Sequence, residues 1–130
     1  MYKGVKIVMS SQGNVCVMDL NNKKYKYIYT HYLGDELPVI LKKALSPIKK
    51  HWSDMNYVIA SICYDILKAA HFNFGSCDLS EFPFNSSQEI IFVDITNQVI
   101  IVGSTSLTFD DYIKQDDDFL KRLVELEKIN

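Results

Sequence analysis

The chain has 130 residues, 48% of them hydrophobic and 23% charged, with a formal net charge of −2. That length supports one domain whose core needs no disulfide or metal staple, and the composition excludes a disordered or collagen-like chain. Cys16, Cys63 and Cys77 are odd in number and lack metal-ligand or redox spacing, so they read as reduced thiols rather than a secreted disulfide framework. The charge is uneven: residues 1–52 hold nine lysines against Asp19, Asp35 and Glu36, whereas residues 53–130 hold five basic residues against thirteen acids. Either the two halves sit beside each other and neutralise, or a basic face attracts an anion, a phosphate or an acidic partner.

Met1-Tyr-Lys-Gly4 runs into a strand pattern instead of an apolar leader, and the expected location is the cytoplasm. Val5, Ile7 and Met9 alternate through Gly4–Ser10 as in a strand. Ser11-Gln-Gly-Asn14 has turn composition, with Gly13 suited to positive φ, and Asn14–Leu20 returns as a second strand. Asn21-Asn-Lys-Lys24 is the next turn and Lys24–Thr30 a third strand, which together predict a three-stranded meander. The two-residue period puts Tyr25, Tyr27 and Tyr29 on one face of that third strand and Lys24, Lys26, Ile28 and Thr30 on the other.

Asp35 is a candidate N-cap for a helix that starts near Glu36–Leu37, tolerates Pro38 in its first turn and stops at Ser46-Pro47. It turns Leu37, Ile40, Leu41, Ala44 and Leu45 inward and Lys42 and Lys43 outward. The longest apolar periodicity follows at Ser53–Phe72, with Ser53 as N-cap and Met55, Val58, Ile59, Ile62, Cys63, Ile66, Leu67 and Ala70 on one helical face. Tyr57, Ala60, Tyr64 and Ala69 widen that face, which predicts contact from more than one direction. Asp54, Asp65 and Lys68 argue against a membrane span.

Asn73–Ser87 is read as a long irregular stretch that packs through Phe72, Phe74, Phe82 and Phe84. Glu89–Ile95 and Gln98–Gly103 are two strands joined at Thr96-Asn97. They are apolar at successive positions, so the hairpin is expected to be central in the sheet or closed on one face by a partner, and a homo-oligomer is expected. Thr108 caps a short helix and Asp111 completes its capping box. A last helix starts around Asp116–Asp118, with Phe119, Leu120, Leu123, Val124 and Leu126 on one face and Asp117/Lys121 and Asp118/Arg122 as i,i+4 pairs on another. Nothing repeats. The order βββ-α-α-ββ-α-α predicts an α+β domain in which a five-stranded, mostly antiparallel sheet packs on the central apolar helix.

Convergent catalytic groups are few. His31, His51 and His71 sit at element ends outside any metal-ligand motif, and Asp110, Asp111, Asp116, Asp117 and Asp118 lack calcium-loop spacing and suit helix N-termini instead. No phosphate loop or nucleophile elbow is present, so neither cofactor nor metal is expected. Lys23–Gly34 is the stretch with binding chemistry. Lys24, Tyr25, Lys26, Tyr27, Tyr29 and His31, with Lys42 and Lys43 extending the positive rim, can stack on a base or sugar and attract a phosphate. The alternative is that the tyrosines form a cross-strand ladder while the lysines solvate an edge strand.

Tyr29-Thr-His31-Tyr32-Leu-Gly34-Asp-Glu-Leu-Pro38 resembles the strand-to-helix signature of a group of small phage and prophage proteins of unassigned function. In that group a strand ends in an aromatic, then His, a second aromatic, an acid-Gly pair and a Pro before a helix; here Leu33 replaces the acid and the Pro is displaced. The resemblance implies a mobile-element setting, in the host cytoplasm, where small domains block host proteins or sequester signals. The leading expectation is a non-enzymatic binder of a protein or a small anionic, nucleotide-like ligand. The alternatives are a small hydrolase or transferase on a phosphorylated substrate with His31 as general acid/base, and an immunity-type protein that neutralises a toxin through its acidic half. The acidic total argues against duplex nucleic acid as the main ligand.

Overall fold

The computed structural model describes residues 12–31, 33–83 and 90–129, with side chains up to Leu123. The protein is α+β, but among the described residues the sheet has six strands and is mixed rather than five-stranded and mostly antiparallel. The strands are β1 (Gly13–Asp19), β2 (Lys24–Thr30), β3 (Cys77–Ser80), β4 (Ile90–Asp94), β5 (Val99–Val102) and β6 (Thr105–Thr108), in the spatial order β3-β2-β1-β4-β5-β6. Neighbours pair antiparallel except β1 and β4, which run parallel with Val15 opposite Ile91 and Val17 opposite Val93. The predicted strand Gly4–Ser10 lies outside the described residues. Two strands escaped the sequence: β3 falls in the stretch read as irregular, and β6 follows a two-residue turn in which Gly103 takes φ 59°.

One face of the sheet carries the core. Val15, Val17, Ile28, Ile91, Val93, Ile100 and Val102 are buried there against helix side chains. Four helices are described: α1 (Leu37–Leu45), α2 (Met55–Ala69), α3 (Phe109–Ile113) and α4 (Asp117–Ile129). The core takes Leu37, Leu41 and Leu45 from α1, Val58, Ile62 and Ile66 from α2, Phe109 and Tyr112 from α3, and Leu120 and Leu123 from α4. Tyr112 is fully buried, and its hydroxyl donates to the Pro38 carbonyl at 2.7 Å, which satisfies the one polar group it brings inside. Trp52 donates from Nε1 to the Leu45 carbonyl at 2.9 Å and meets Phe109 edge-on. Among the described residues no helix is long and apolar enough to cross a membrane.

Several boundaries differ from the expected ones. Asp54, not Ser53, caps α2: its carboxylate accepts the Tyr57 N–H at 3.2 Å, a stronger partner for an orphan donor than a hydroxyl. Tyr57 and Tyr64 are exposed, so the buried stripe of α2 is narrower than expected, Val58, Ile62 and Ile66, while the helix packs on both α1 and the sheet strands β1 and β3. Asp35 does not cap α1 through its side chain; a 3-10 turn at Gly34–Glu36 leads into the helix. The α-helix itself ends at Leu45 with Ser46 as C-cap, as expected; Ser46 keeps helical backbone, and a 3-10 segment, Ser46–His51, follows with a non-helical break at Ile48. Gly13 opens β1 instead of making a turn. A Cβ there would lie 2.7 Å from Leu37 Cδ1 and 3.2 Å from Gly34 Cα, so glycine lets the start of α1 close on the strand. Thr108 caps α3 as expected, accepting the Asp111 N–H at 3.1 Å. On α4, Asp117 and Lys121 reach across to Lys42 and Glu36 rather than to i,i+4 partners on their own helix.

A turn signature does repeat. Asp19-Leu-Asn-Asn22 and Asp94-Ile-Thr-Asn97 close the β1–β2 and β4–β5 hairpins in the same way. In each, the aspartate accepts the asparagine's backbone N–H and side-chain amide, and the residue after the asparagine is left-handed, with Lys23 at φ 54° and Gln98 at φ 55°. The two turns touch, since the Leu20 N–H donates to Thr96 Oγ1 at 2.8 Å.

Candidate functional site

The clasp at Asp19–Asn22 and the left-handed Lys23 deliver the chain into β2 with Lys24 and Lys26 on the helix-facing side. Because β2 outruns the helices at this end, its first residues stay exposed while Ile28 and Thr30 are buried. Between them and the first turn of α2 lies a groove of about 440 Å³, lined by Lys23, Lys24, Tyr25, Lys26, Met55, Asn56, Ile59, Glu81 and Phe82. Met55 and Ile59 are an apolar floor, Phe82 is a 75% exposed ring at the lip, and Asn56 is an amide near the start of a 15-residue helix whose N-terminus is electropositive. Three ammonium groups line the groove against one carboxylate. That carboxylate, Glu81, pairs with Lys26 at 3.0 Å and is itself well exposed, so an incoming anion has only a solvent-screened partner to displace.

The opposite sheet face carries the tyrosines, as the two-residue period predicts. Tyr25 is 46% exposed, Tyr27 half-buried and Tyr29 buried. Burial, then the neighbouring Cys16 thiol, raises the ionisation range of Tyr27; burial, then the charge of Asp78, raises that of Tyr29. Both rings are therefore neutral phenols at physiological pH. His31, just past the strand end on this same face, sets its Nε2 3.0 Å from Asp78 Oδ2 and packs edge-on against Tyr29 at 4.7 Å between centroids. Seven residue steps carry the chain from Lys24 to His31, about 23 Å along the strand.

The stretch Lys23–Gly34 thus resolves into two places. Lys24, Lys26 and Tyr25 meet in the groove, whereas Tyr27, Tyr29 and His31 lie away from its lining. Lys42 is taken into a helix seam, where its ammonium donates to the Gln115 carbonyl at 2.7 Å and to Asp117 at 3.2 Å, and Lys43 is exposed on α1, outside the groove lining. Sequence reasoning missed Asn56, Glu81 and Phe82. The last two follow β3, whose short and half-polar Cys-Asp-Leu-Ser carries no strand pattern, and nothing local brings them to β2. Among the described residues no group of three or more His, Cys, Asp or Glu side chains is arranged to hold a metal ion. Comparison with family models, with curated proteins and with solved structures returns no match.

Proposed function

We propose that the chain is a non-enzymatic binding domain that holds a small anionic, nucleotide-like ligand in the groove between β2 and the first turn of α2. The observation that carries this reading is the meeting of Lys23, Lys24 and Lys26 with an apolar floor and an exposed aromatic lip in one concavity. Cations supply attraction to a phosphate, Asn56 supplies a directional donor and acceptor, and Phe82 supplies a face for a base or sugar. The resemblance of Tyr29–Pro38 to small phage proteins adds a setting in which sequestering such a ligand is a complete function.

Equilibrium dialysis against nucleoside phosphates and sugar phosphates, with mass spectrometry of both compartments, tests the reading. A phosphate-bearing ligand is retained unaltered; absence of retention of every compound, or turnover of a retained one, overturns it. Lys24→Ala and Lys26→Ala each weaken retention about two- to five-fold at low ionic strength, an effect that fades as salt rises. Phe82→Ala weakens it about ten-fold at any salt, because stacking area is not screened. Glu81→Gln strengthens it by releasing Lys26.

One observation favours a second reading. Asp78 holds the His31 imidazole as a carboxylate orients a general acid/base, so a hydrolase centred on the tyrosine face is the enzyme alternative. His31→Ala would then abolish turnover and leave retention in the groove unchanged.

A further inference from the structure

Two cysteines far apart in sequence meet beside the groove. Cys63 lies one helical turn beyond Ile59 on α2, and Cys77 begins β3, the strand that leads to Glu81 and Phe82. Both are half-buried and pack on the edge of the core where α2 meets β3, and each thiol acts on the other's ionisation. Across from Cys77 stands Thr30. The flanking bond from the His31 N–H to the Ser76 carbonyl makes Thr30–Cys77 a non-hydrogen-bonded pair, the kind whose side chains approach most closely. Thr30 is fully buried, and its Oγ1 has no hydrogen-bond partner. A buried hydroxyl without a partner is a cost that cores avoid unless it serves a group that changes state. Here the neighbour that can change state is the sulfur of Cys77.

We propose that Cys63 and Cys77 form a peroxide-oxidised dithiol site, with Cys77 as the sulfur oxidised first and Cys63 as the resolving thiol. This inference stands on its own and does not rest on the groove's ligand. The Cys63 S–H donates to Cys77 and holds the Cys77 thiol below its ordinary range, against burial and the nearby Asp78 charge. The same hydrogen bond, with burial, pushes Cys63 up, which keeps it protonated as a donor. The Cys77 thiolate attacks the terminal oxygen of a hydroperoxide ROOH. The O–O bond breaks, the alkoxide leaves as ROH with the proton that Cys77 gave up, and Cys77 becomes a sulfenic acid. Thr30, paired with Cys77 on the same sheet face, is the donor that turns to the sulfenic oxygen as it forms. Cys63 Sγ next attacks Cys77 Sγ, the S–O bond breaks, and water departs with the Cys63 proton. Two thiols are oxidised by two electrons, one hydroperoxide is reduced, and β3 becomes tied to α2 one turn from the groove. Cys16 is the internal control: it is fully buried and burial pushes its thiol up, so it reacts slowly.

The test treats the folded full chain with hydrogen peroxide and reads each cysteine over time by differential alkylation and peptide mass spectrometry. The expected result is a loss of two hydrogens per chain, a Cys63–Cys77 link within one chain, and disappearance of free Cys77 about ten-fold faster than free Cys16. In Cys63→Ser, Cys77 accumulates as a sulfenic acid captured by dimedone; in Cys77→Ser, no two-hydrogen loss occurs; in Thr30→Val, Cys77 oxidises more slowly while Cys16 is unaffected. Equal rates at Cys16 and Cys77, a link between chains only, or no link at all overturns the proposal. The wild-type time course needs no substitution and decides the matter even where a variant fails to fold.

Discussion

The β1–β2 and β4–β5 hairpins share one turn and have opposite fates. Both close with an aspartate clasping an asparagine three residues on, and both place the next residue in the left-handed region. Their strands, however, show opposite faces to the helices. The position two residues after the clasp asparagine's left-handed neighbour is Tyr25 in one hairpin, 46% exposed, and Ile100 in the other, 1% exposed. The order β2-β1-β4-β5, with β1 and β4 parallel, explains the inversion. A two-fold axis along the strands relates the two hairpins, and such an axis turns the sheet over. A turn signature therefore specifies a hairpin and its register, but not which face is buried. The two strands answer that question differently: β2 alternates Tyr and Lys, whereas β5 is Val-Ile-Ile-Val and accepts burial on either face. The hairpin that alternates keeps its lysines for solvent, and that hairpin builds the groove.

The strongest way to break this comparison is to truncate the equivalent positions. Ile100→Ala removes a fully enclosed chain and leaves a cavity, and is expected to cost about 2–4 kcal/mol in urea denaturation. Tyr25→Ala is expected to cost under about 1 kcal/mol, as for surface substitutions with little packing. Similar midpoints for the two would mean that the hairpins are equally buried and that the inversion is misread. The clasp gives a second contrast. Asp94 is 5% exposed and accepts from the Thr96 and Asn97 N–H groups and the Asn97 amide, so Asp94→Ala strands donors inside and costs about 2–3 kcal/mol.

Asp19 makes the same contacts in the open, and Asp19→Ala shifts the midpoint far less. Its pH dependence sharpens the point. The Asn22 amide holds the Asp19 carboxyl below its ordinary range. A folded value below the unfolded one means that the aspartate contributes stability above the unfolded value of about 4 and loses it as pH falls through the lower folded value. The gap between wild type and Asp19→Ala is expected to shrink over that acid window in parallel denaturation curves.

The smallest effects concern the left-handed residues. Lys23→Gly and Gln98→Gly each remove a Cβ from positive φ and are expected to stabilise by about 0.5–1 kcal/mol, net of the freer unfolded chain. Only Lys23→Gly should also weaken retention of an anionic ligand, since Lys23 lines the groove and Gln98 does not. Loss of retention in both, or in neither, would separate the groove from its hairpin.

Much of the frame was legible in the sequence because short-range periodicity carries it. The bounds of β2 and the bodies of α1 and α2 follow from alternation and from three-four spacing, and the Thr108 cap follows from its box. The site was half legible. Lys24, Lys26 and Tyr25 stand out on one strand, but the likeness of Lys42 and Lys43 to a rim fails because charge on a helix says nothing of where that helix docks. Lys42 instead satisfies the Gln115 carbonyl and Asp117.

By itself, then, the sequence determined an α+β chain, the turns at Asn21–Lys24 and Thr96-Asn97, the amphipathic stripe of α2 and the split of tyrosine from lysine across β2. Each is a local preference that neighbouring residues settle among themselves. Tertiary structure decided that β1 and β4 run parallel, that β3 joins β2, that Glu81 and Phe82 arrive beside the lysines, and that Cys63 meets Cys77. These are contacts across long chain separations. They are selected by which apolar faces can be buried together once loop closure has been offset, and no window of ten residues contains that information.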